Sequence, residues 1–199
     1  MHTGTAKGTY GYLNRNKVQA WKRAALMLSV PAVVFLAAWI LHGTRENVMT
    51  VVAIVGCLPG CNQVVRAIMA SRYHSMEKEL WEQVEAARGE LPVLYETVFT
   101  SYETNYYVDC MVVCAREVIG YSSDGSLDAP KAAEHIRTML KNSSYKQNVK
   151  ILKEPKAFLE RVRGLAECEP EPVPFQGDDR YPGFTRDEII LHLLMAISL

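Results

Sequence analysis

Asp109 is the residue whose type and setting most invite chemistry, because it interrupts the apolar run YYVDCMVVC at positions 106–114. A carboxylate in such a run must be paired, protonated or put to use. One use is to hold a divalent metal that orients an attacking water, with Asp109 as a ligand and Asp124, in GYSSDG, as a second oxygen donor. The structural alternative is a buried carboxylate paired with a cation such as Arg116 or Lys131. Favoured by residue type alone is the structural role, which leaves Asp109 as the single catalytic candidate.

The remaining chemistry-bearing residues are dispersed. His2, His42, His74, His135 and His192 show neither HxxxH nor HExxH spacing, so a zinc enzyme has no motif to stand on. Ser101, Ser122, Ser123, Ser143 and Ser144 lie outside any GxSxG elbow. Neither a Walker A nor a Rossmann glycine spacing occurs, and no cofactor is implied. Tyr95, Tyr102, Tyr106, Tyr107 and Tyr121 fall on predicted strands, where aromatic residues are ordinary; the alternative is an aromatic face able to stack a ligand. Of five cysteines, Cys110 and Cys114 share a predicted strand, about 13 Å apart at roughly 3.3 Å per residue. That separation is too wide for one metal and suits core packing. With Cys57, Cys61 and Cys168 they make an odd, sparse set that fits reduced thiols in a cytoplasmic setting.

Lysine plus arginine equals aspartate plus glutamate, at 22 each, so no global field favours a nucleic acid partner. What dominates the chain is its head. Positions 24–43 and 47–65 are apolar and uncharged, separated by Thr44, Arg45 and Glu46. Each is the length that crosses a hydrocarbon core of roughly 30 Å as a helix. Lys7, Arg15, Lys17, Lys22 and Arg23 precede the first stretch and Arg66 and Arg72 follow the second, which predicts cytoplasmic termini and a short turn on the far side. Trp21 and Trp39 sit where indoles favour the interface. Gly56, Pro59, Gly60, Asn62 and Gln63 mark the second stretch as kinked or re-entrant, with its polar groups turned toward protein. The expectation is homo-oligomerisation through that second helix.

Beyond the hairpin the periodicity changes several times. An amphipathic helix over 75–87 ends at Gly89 and Pro92. Runs at 91–101, 106–114 and 117–122 are rich in Val, Tyr, Phe and Thr and read as a three-stranded meander. Asp128 and Pro130 open a helix carrying Ala133, Ile136, Met139 and Leu140 on one side, a strand follows at 148–152, and a helix spans 155–166. The result is an α+β domain. Four prolines and several acids make 167–184 an extended linker, and the Thr185-Arg-Asp-Glu188 capping box opens a terminal helix over 185–199 that is apolar nearly all round. Such a helix must be buried, on the sheet domain by preference or else against the membrane or a partner. The organisation predicted is thus a basic leader at 1–23, a transmembrane hairpin at 24–70, a cytoplasmic α+β domain at 75–166, the linker and the terminal helix.

The leader MHTGTAKGTYGYLNR, the hairpin, VFTSYETNYYVDCMVVC with EVIGYSSD, HIRTMLK and the terminal EIILHLLMAISL together resemble a family of small bacterial membrane proteins. That resemblance spans nearly the whole chain and implies a multi-pass protein of the bacterial inner membrane, without implying an activity. The helix, three strands, helix, strand order at 75–152 also resembles the restriction-endonuclease-like core. There an acid on the second strand and a Glu-x-Lys on the third hold the metal. Asp109 matches the first position, but Glu117 has no lysine two residues on, and Ser122, Ser123 and Asp124 stand near the place of the second acid. The resemblance therefore implies a degenerate nuclease-like core. The function expected is a membrane-anchored, non-enzymatic binding or regulatory module with an unidentified protein partner; the alternative is a tethered metal-dependent hydrolase.

Overall fold

The computed structural model describes residues 7–42, 48–101, 104–168 and 183–198. The hairpin turn at 44–46, Glu103 in the first strand connection and nearly all of the predicted linker lie outside the described residues. The fold is mixed α+β, with two long apolar helices at the head and a helix at the C-terminal end. Its described residues form two compact units, 13–74 and, with residues 7–12, those from 75 onward.

The first unit is a hairpin of α1 (Tyr12–His42) and α2 (Val48–Ser71). Helix α1 starts about three turns before its apolar stretch, because YLNRNKVQAWKR contains good helix formers and no proline. Each helix buries one small or compact residue every seven positions: Ala24, Pro31 and Ala38 on α1, and Ala53, Gly60 and Ala67 on α2. Small residues at such a seam let backbones approach closely. A Cβ on Gly60 would lie 2.7 Å from Leu28 Cδ2, and one on Gly56 would lie 3.4 Å from Pro31 Cβ. At the open end the Trp21 indole N–H donates to Ser71 Oγ at 3.0 Å. Helix α2 runs unbroken through Pro59. Its two glycines serve contact with α1 inside the chain. The outer faces are apolar and open, with Leu26, Ile40, Val48 and Leu58 all more than 60% exposed. Both helices are long and apolar enough to cross a membrane, with spans of 29 and 21 residues.

The second unit is built on a four-stranded sheet: β1 (Val93–Thr100), β2 (Asn105–Cys114), β3 (Glu117–Tyr121) and β4 (Asn148–Leu152), in that spatial order. The first three are antiparallel neighbours, and β4 lies parallel to β3 after a crossover through α4 (Ala129–Asn142). Asp128 caps α4, accepting from Lys131 N–H at 3.3 Å. On one face α4 and α6 (Arg186–Ile197) bury Phe99, Val108, Met111, Ile136, Leu140, Ile190 and Leu194 against the sheet. On the other, α3 (Lys78–Ala87) and α5 (Pro155–Glu167) bury Val84, Tyr95, Cys110, Val112, Ile119, Phe158 and Val162. Because both faces are covered, β2 is buried from Tyr106 to Cys114 and reads as a continuous apolar run. Cys110 and Cys114 are free and buried within it, as their spacing on a strand predicts.

The capping box of α6 forms as its sequence predicts, Thr185 Oγ1 accepting from Glu188 N–H and the Glu188 carboxylate accepting from Thr185 N–H at 2.7 Å. The terminal helix docks on the sheet, where Ile189, Ile190 and Leu194 are buried. Its start also secures the β2–β3 turn: Asp187 accepts from the Ala115 N–H at 2.9 Å, and the Arg186 guanidinium donates to the Ala115 carbonyl. Ala115 holds φ at +50°, a left-handed value that a Cβ disfavours. Ala115→Gly is therefore expected to stabilise this unit by about 0.5–1 kcal/mol, the relief of that strain less the added freedom of the unfolded chain. Pulse proteolysis in urea measures it, and a loss of stability would show that the turn is unstrained.

Candidate functional site

Two places in the second unit gather polar or aromatic side chains. The first lies inside the sheet, where β1 and β2 are paired from Val93↔Val112 through Tyr95↔Cys110 and again from Thr97↔Val108 onward. Between those pairs the register sets Glu96 opposite Asp109. Both are only 2% exposed, and Glu96 has φ at +53°. Left-handed backbone at a buried glutamate is a strained feature of the kind that concentrates at functional positions. Its carboxylate accepts from the Gly11 N–H at 2.7 Å.

Asp109 is enclosed. Its Oδ1 accepts from the Tyr107 hydroxyl at 3.0 Å and its Oδ2 from the Ser123 N–H at 2.6 Å. The Ser122 hydroxyl donates to the Tyr107 carbonyl at 2.6 Å and ties the end of β3 to the same place. Burial pushes the Asp109 carboxyl above its usual range, against the pull of the hydrogen bonds from Ser123 and Tyr107. Burial and the neighbouring carboxylate likewise push the Tyr107 hydroxyl upward.

The cation partners expected for Asp109 are elsewhere. Lys131 pairs with Asp128 at 3.5 Å on the exposed first turn of α4. Arg116 sits in the β2–β3 turn at the far end of the strand, where its carbonyl accepts from Asn148 N–H. A phenol and a backbone amide take the cation's place, which a search for opposite charge could not find. Asp124 closes its own turn, accepting from the Ser126 N–H at 2.8 Å and hydroxyl at 2.6 Å. The carboxylates of Asp109 and Asp124 therefore share no partner, although the Asp124 N–H donates to Ser122 Oγ at 3.3 Å. Among the described residues no three His, Cys, Asp or Glu side chains converge as a metal-binding group. The tyrosines are divided between layers: Tyr106 lies in the α4/α6 core and Tyr95 and Tyr121 in the α3/α5 core, while Tyr102 lies outside the described residues. His135 is 3.2 Å from the Thr100 carbonyl and borders the Tyr106 ring.

The second place is a cleft of about 790 Å³ at the outer edge of β1, open to solvent. Residues 7–10 form a strap along one wall, with the Gly8 carbonyl accepting from Tyr95 N–H at 2.9 Å. Tyr10 stacks on Trp81 of α3 with ring centroids 4.6 Å apart. Across the cleft Phe184 meets His192 of α6 edge-on at 5.0 Å. Between them lie Val93, Leu191 and Met195.

The ionic groups around the cleft are committed to its walls. Arg88 pairs with Glu85 at 2.8 Å and donates to the Leu91 carbonyl at 3.0 Å. Burial raises the Glu85 carboxyl, but hydrogen bonds from Arg88 and the Tyr95 hydroxyl outweigh it and hold the group below its usual range. Lys7 donates to the Met195 and Ser198 carbonyls at 2.8 and 2.5 Å, closing the C-terminal end of α6. Burial pulls its ammonium below the ordinary lysine value.

Sequence reasoning missed both Glu96 and the strap. Glu96 carried a signal, since it interrupts the apolar run LPVLYETVFT much as Asp109 interrupts the next strand. For the strap only Gly8 and Gly11 hinted at a special backbone, and both do take positive φ, at 84° and 76°. No protein-family model matches the chain, and neither a curated protein nor a solved structure does so.

Proposed function

We propose that this chain is an integral membrane protein that presents a non-enzymatic binding module on the cytoplasmic side of a bacterial inner membrane. The two apolar helices form the anchor, and the basic residues flanking them, Lys17, Lys22, Arg23, Arg66 and Arg72, favour cytoplasmic termini. The resemblance to small bacterial hairpin proteins accords with that address. One observation carries the binding role: the cleft beside β1, concave, mostly apolar and framed by two aromatic pairs. Its occupant is an apolar segment of a protein partner, because Val93, Leu191 and Met195 lie between the two aromatic pairs while the ionic groups are held by the walls.

A hydrolase built on Asp109 has less support. The helix, three strands, helix, strand order, with β4 parallel to β3, favours kinship with a restriction-endonuclease-like core. Yet Asp109 is enclosed and its oxygens are engaged by Tyr107 and Ser123. A degenerate core that binds rather than cleaves accommodates both facts.

Purification of the full chain from native membranes tests the proposal. The intact protein is expected to bring down a defined partner, and Trp81→Ala to reduce its recovery about tenfold, the effect of losing roughly 1.4 kcal/mol at an aromatic anchor. Recovery of the chain alone, with Mg²⁺- or Mn²⁺-dependent cleavage of DNA or RNA abolished by Asp109→Asn, would overturn it in favour of the hydrolase.

A further inference from the structure

Helix α2 carries a second exposed face whose role rests on the membrane anchor proposed above. Helix α2 uses Ala53, Gly60 and Ala67 to pack on α1. On its opposite side Val51, Val55, Leu58, Asn62, Val65 and Met69 are all exposed. Their spacings alternate four and three, so they fall within about 80° of arc at 3.6 residues per turn. That is the a/d pattern of a two-helix seam.

Lipid explains the five apolar members, but not Asn62. This residue lies inside the apolar stretch 47–65, about one helical turn before Arg66, where a carboxamide turned toward lipid has little water to bond. Gln63 is half-buried, and Arg66 stands just beyond the apolar stretch, where its long stem carries the guanidinium outward. Asn62 is exposed on the side of α2 turned away from α1.

We infer that α2 pairs in parallel with α2 of a second copy of this chain, with Asn62 against Asn62 across a two-fold axis along the membrane normal. Identical copies insert in the same orientation, so their second helices run parallel and can align in register. A carboxamide carries one acceptor and one donor group, so it complements its own symmetry mate through reciprocal hydrogen bonds. The apolar positions then interdigitate above and below, and the polar pair selects the register, as a single buried asparagine does in soluble coiled coils. The Gly56 and Gly60 face remains with α1, so the dimer seam and the hairpin seam do not compete.

Disulfide crosslinking of the full chain in native membranes tests this. The background replaces Cys57, Cys61 and Cys168 and keeps the buried Cys110 and Cys114. In it, Leu58→Cys and Val65→Cys on the seam are compared with Val52→Cys and Ile68→Cys, which are equally open but off it. The seam positions are expected to yield about five times more covalent dimer, Asn62→Leu to reduce that yield about fivefold, and Asn62→Gln to retain most of it. Equal yields at all four positions, or a yield untouched by Asn62→Leu, would overturn the dimer while carbonate-resistant insertion left the anchor standing. Release of the chain by carbonate would overturn anchor and dimer together.

Discussion

Replacing Gly8 by valine is expected to lift residues 7–10 from the sheet edge and cost the second unit about 3 kcal/mol, combining backbone strain with overpacking. Gly8 holds φ at +84°, where a β-branched residue is strained whatever the space. Space is also lacking, because a Cβ there would stand 2.4 Å from Leu94 Cδ1 and 3.0 Å from Met195 Sδ. Leu94 is 1% exposed and belongs to the α4/α6 core, so it cannot swing aside without disturbing that core. Once the strap leaves, the Tyr95 N–H loses its acceptor and the α6 carbonyls lose the Lys7 ammonium. The Tyr10–Trp81 stack that frames the cleft goes with them. Pulse proteolysis in urea on the detergent-solubilised chain reads the stability, and partner recovery reads the cleft. Both are expected to fall, with Gly8→Ala intermediate. A Gly8→Val chain within about 0.5 kcal/mol of the parent, the range of an ordinary surface change, would mean that the strap is a passenger.

That sensitivity is invisible in the sequence for a physical reason. Strands β1 to β4 and helices α4 to α6 are written locally, in side-chain period, caps and proline placement, and their predicted bounds differ from the observed ones by a few residues. Asp128 and the Thr185-Glu188 box act within four residues of themselves and were legible as caps. The strap is held by partners 71 to 191 positions away, from Trp81 through Tyr95 to Ser198, and nothing in KGTY announces them. The same distinction governs the candidate site. That Asp109 is buried and held could be inferred from the apolar residues around it. Its partners could not, because Ser123 contributes a backbone amide that every sequence offers everywhere. Opposite charge was the visible signal, and it pointed to Lys131, which pairs with Asp128, and to Arg116, which lies exposed in the β2–β3 turn. In the hairpin, the seven-residue repeat of Ala24, Pro31 and Ala38 against Ala53, Gly60 and Ala67 was present in the sequence. The polar residues beside it drew attention to self-association, whereas the glycines among them belong to packing within the chain.

Substitution of Asp109 distinguishes a structural carboxylate from a catalytic one through pH. Its folded-state pKa is raised by burial, so across the window from the ordinary carboxylate value up to the folded value the native chain retains a proton that the unfolded chain has lost. The stability due to that protonated acid is complete below the window and is lost as pH rises through the folded pKa. Asp109→Asn keeps the shape and carries no charge. Its carbonyl can accept from Ser123 N–H, and its amide can donate to the Tyr107 hydroxyl oxygen. The difference in stability, variant minus parent, is therefore expected to grow with pH inside the window, at up to about 1.4 kcal/mol per pH unit, and to level off above it. Asp109→Ala behaves differently. It removes the acceptor for both the Tyr107 hydroxyl and the Ser123 amide and leaves a small void, so it is expected to cost about 2–4 kcal/mol with no compensating gain at neutral pH. Urea titrations from pH 4 to 8 on the three chains separate these outcomes, and a flat Asn-minus-Asp difference would show that Asp109 titrates alike in the folded and unfolded chains. Function gives an independent reading. If Asp109 only ties β2 to the end of β3, Asp109→Asn leaves partner recovery through the cleft unchanged, because Trp81 and Tyr10 stand on α3 and the strap. If it holds a metal, the same substitution abolishes divalent-ion-dependent cleavage while the fold survives.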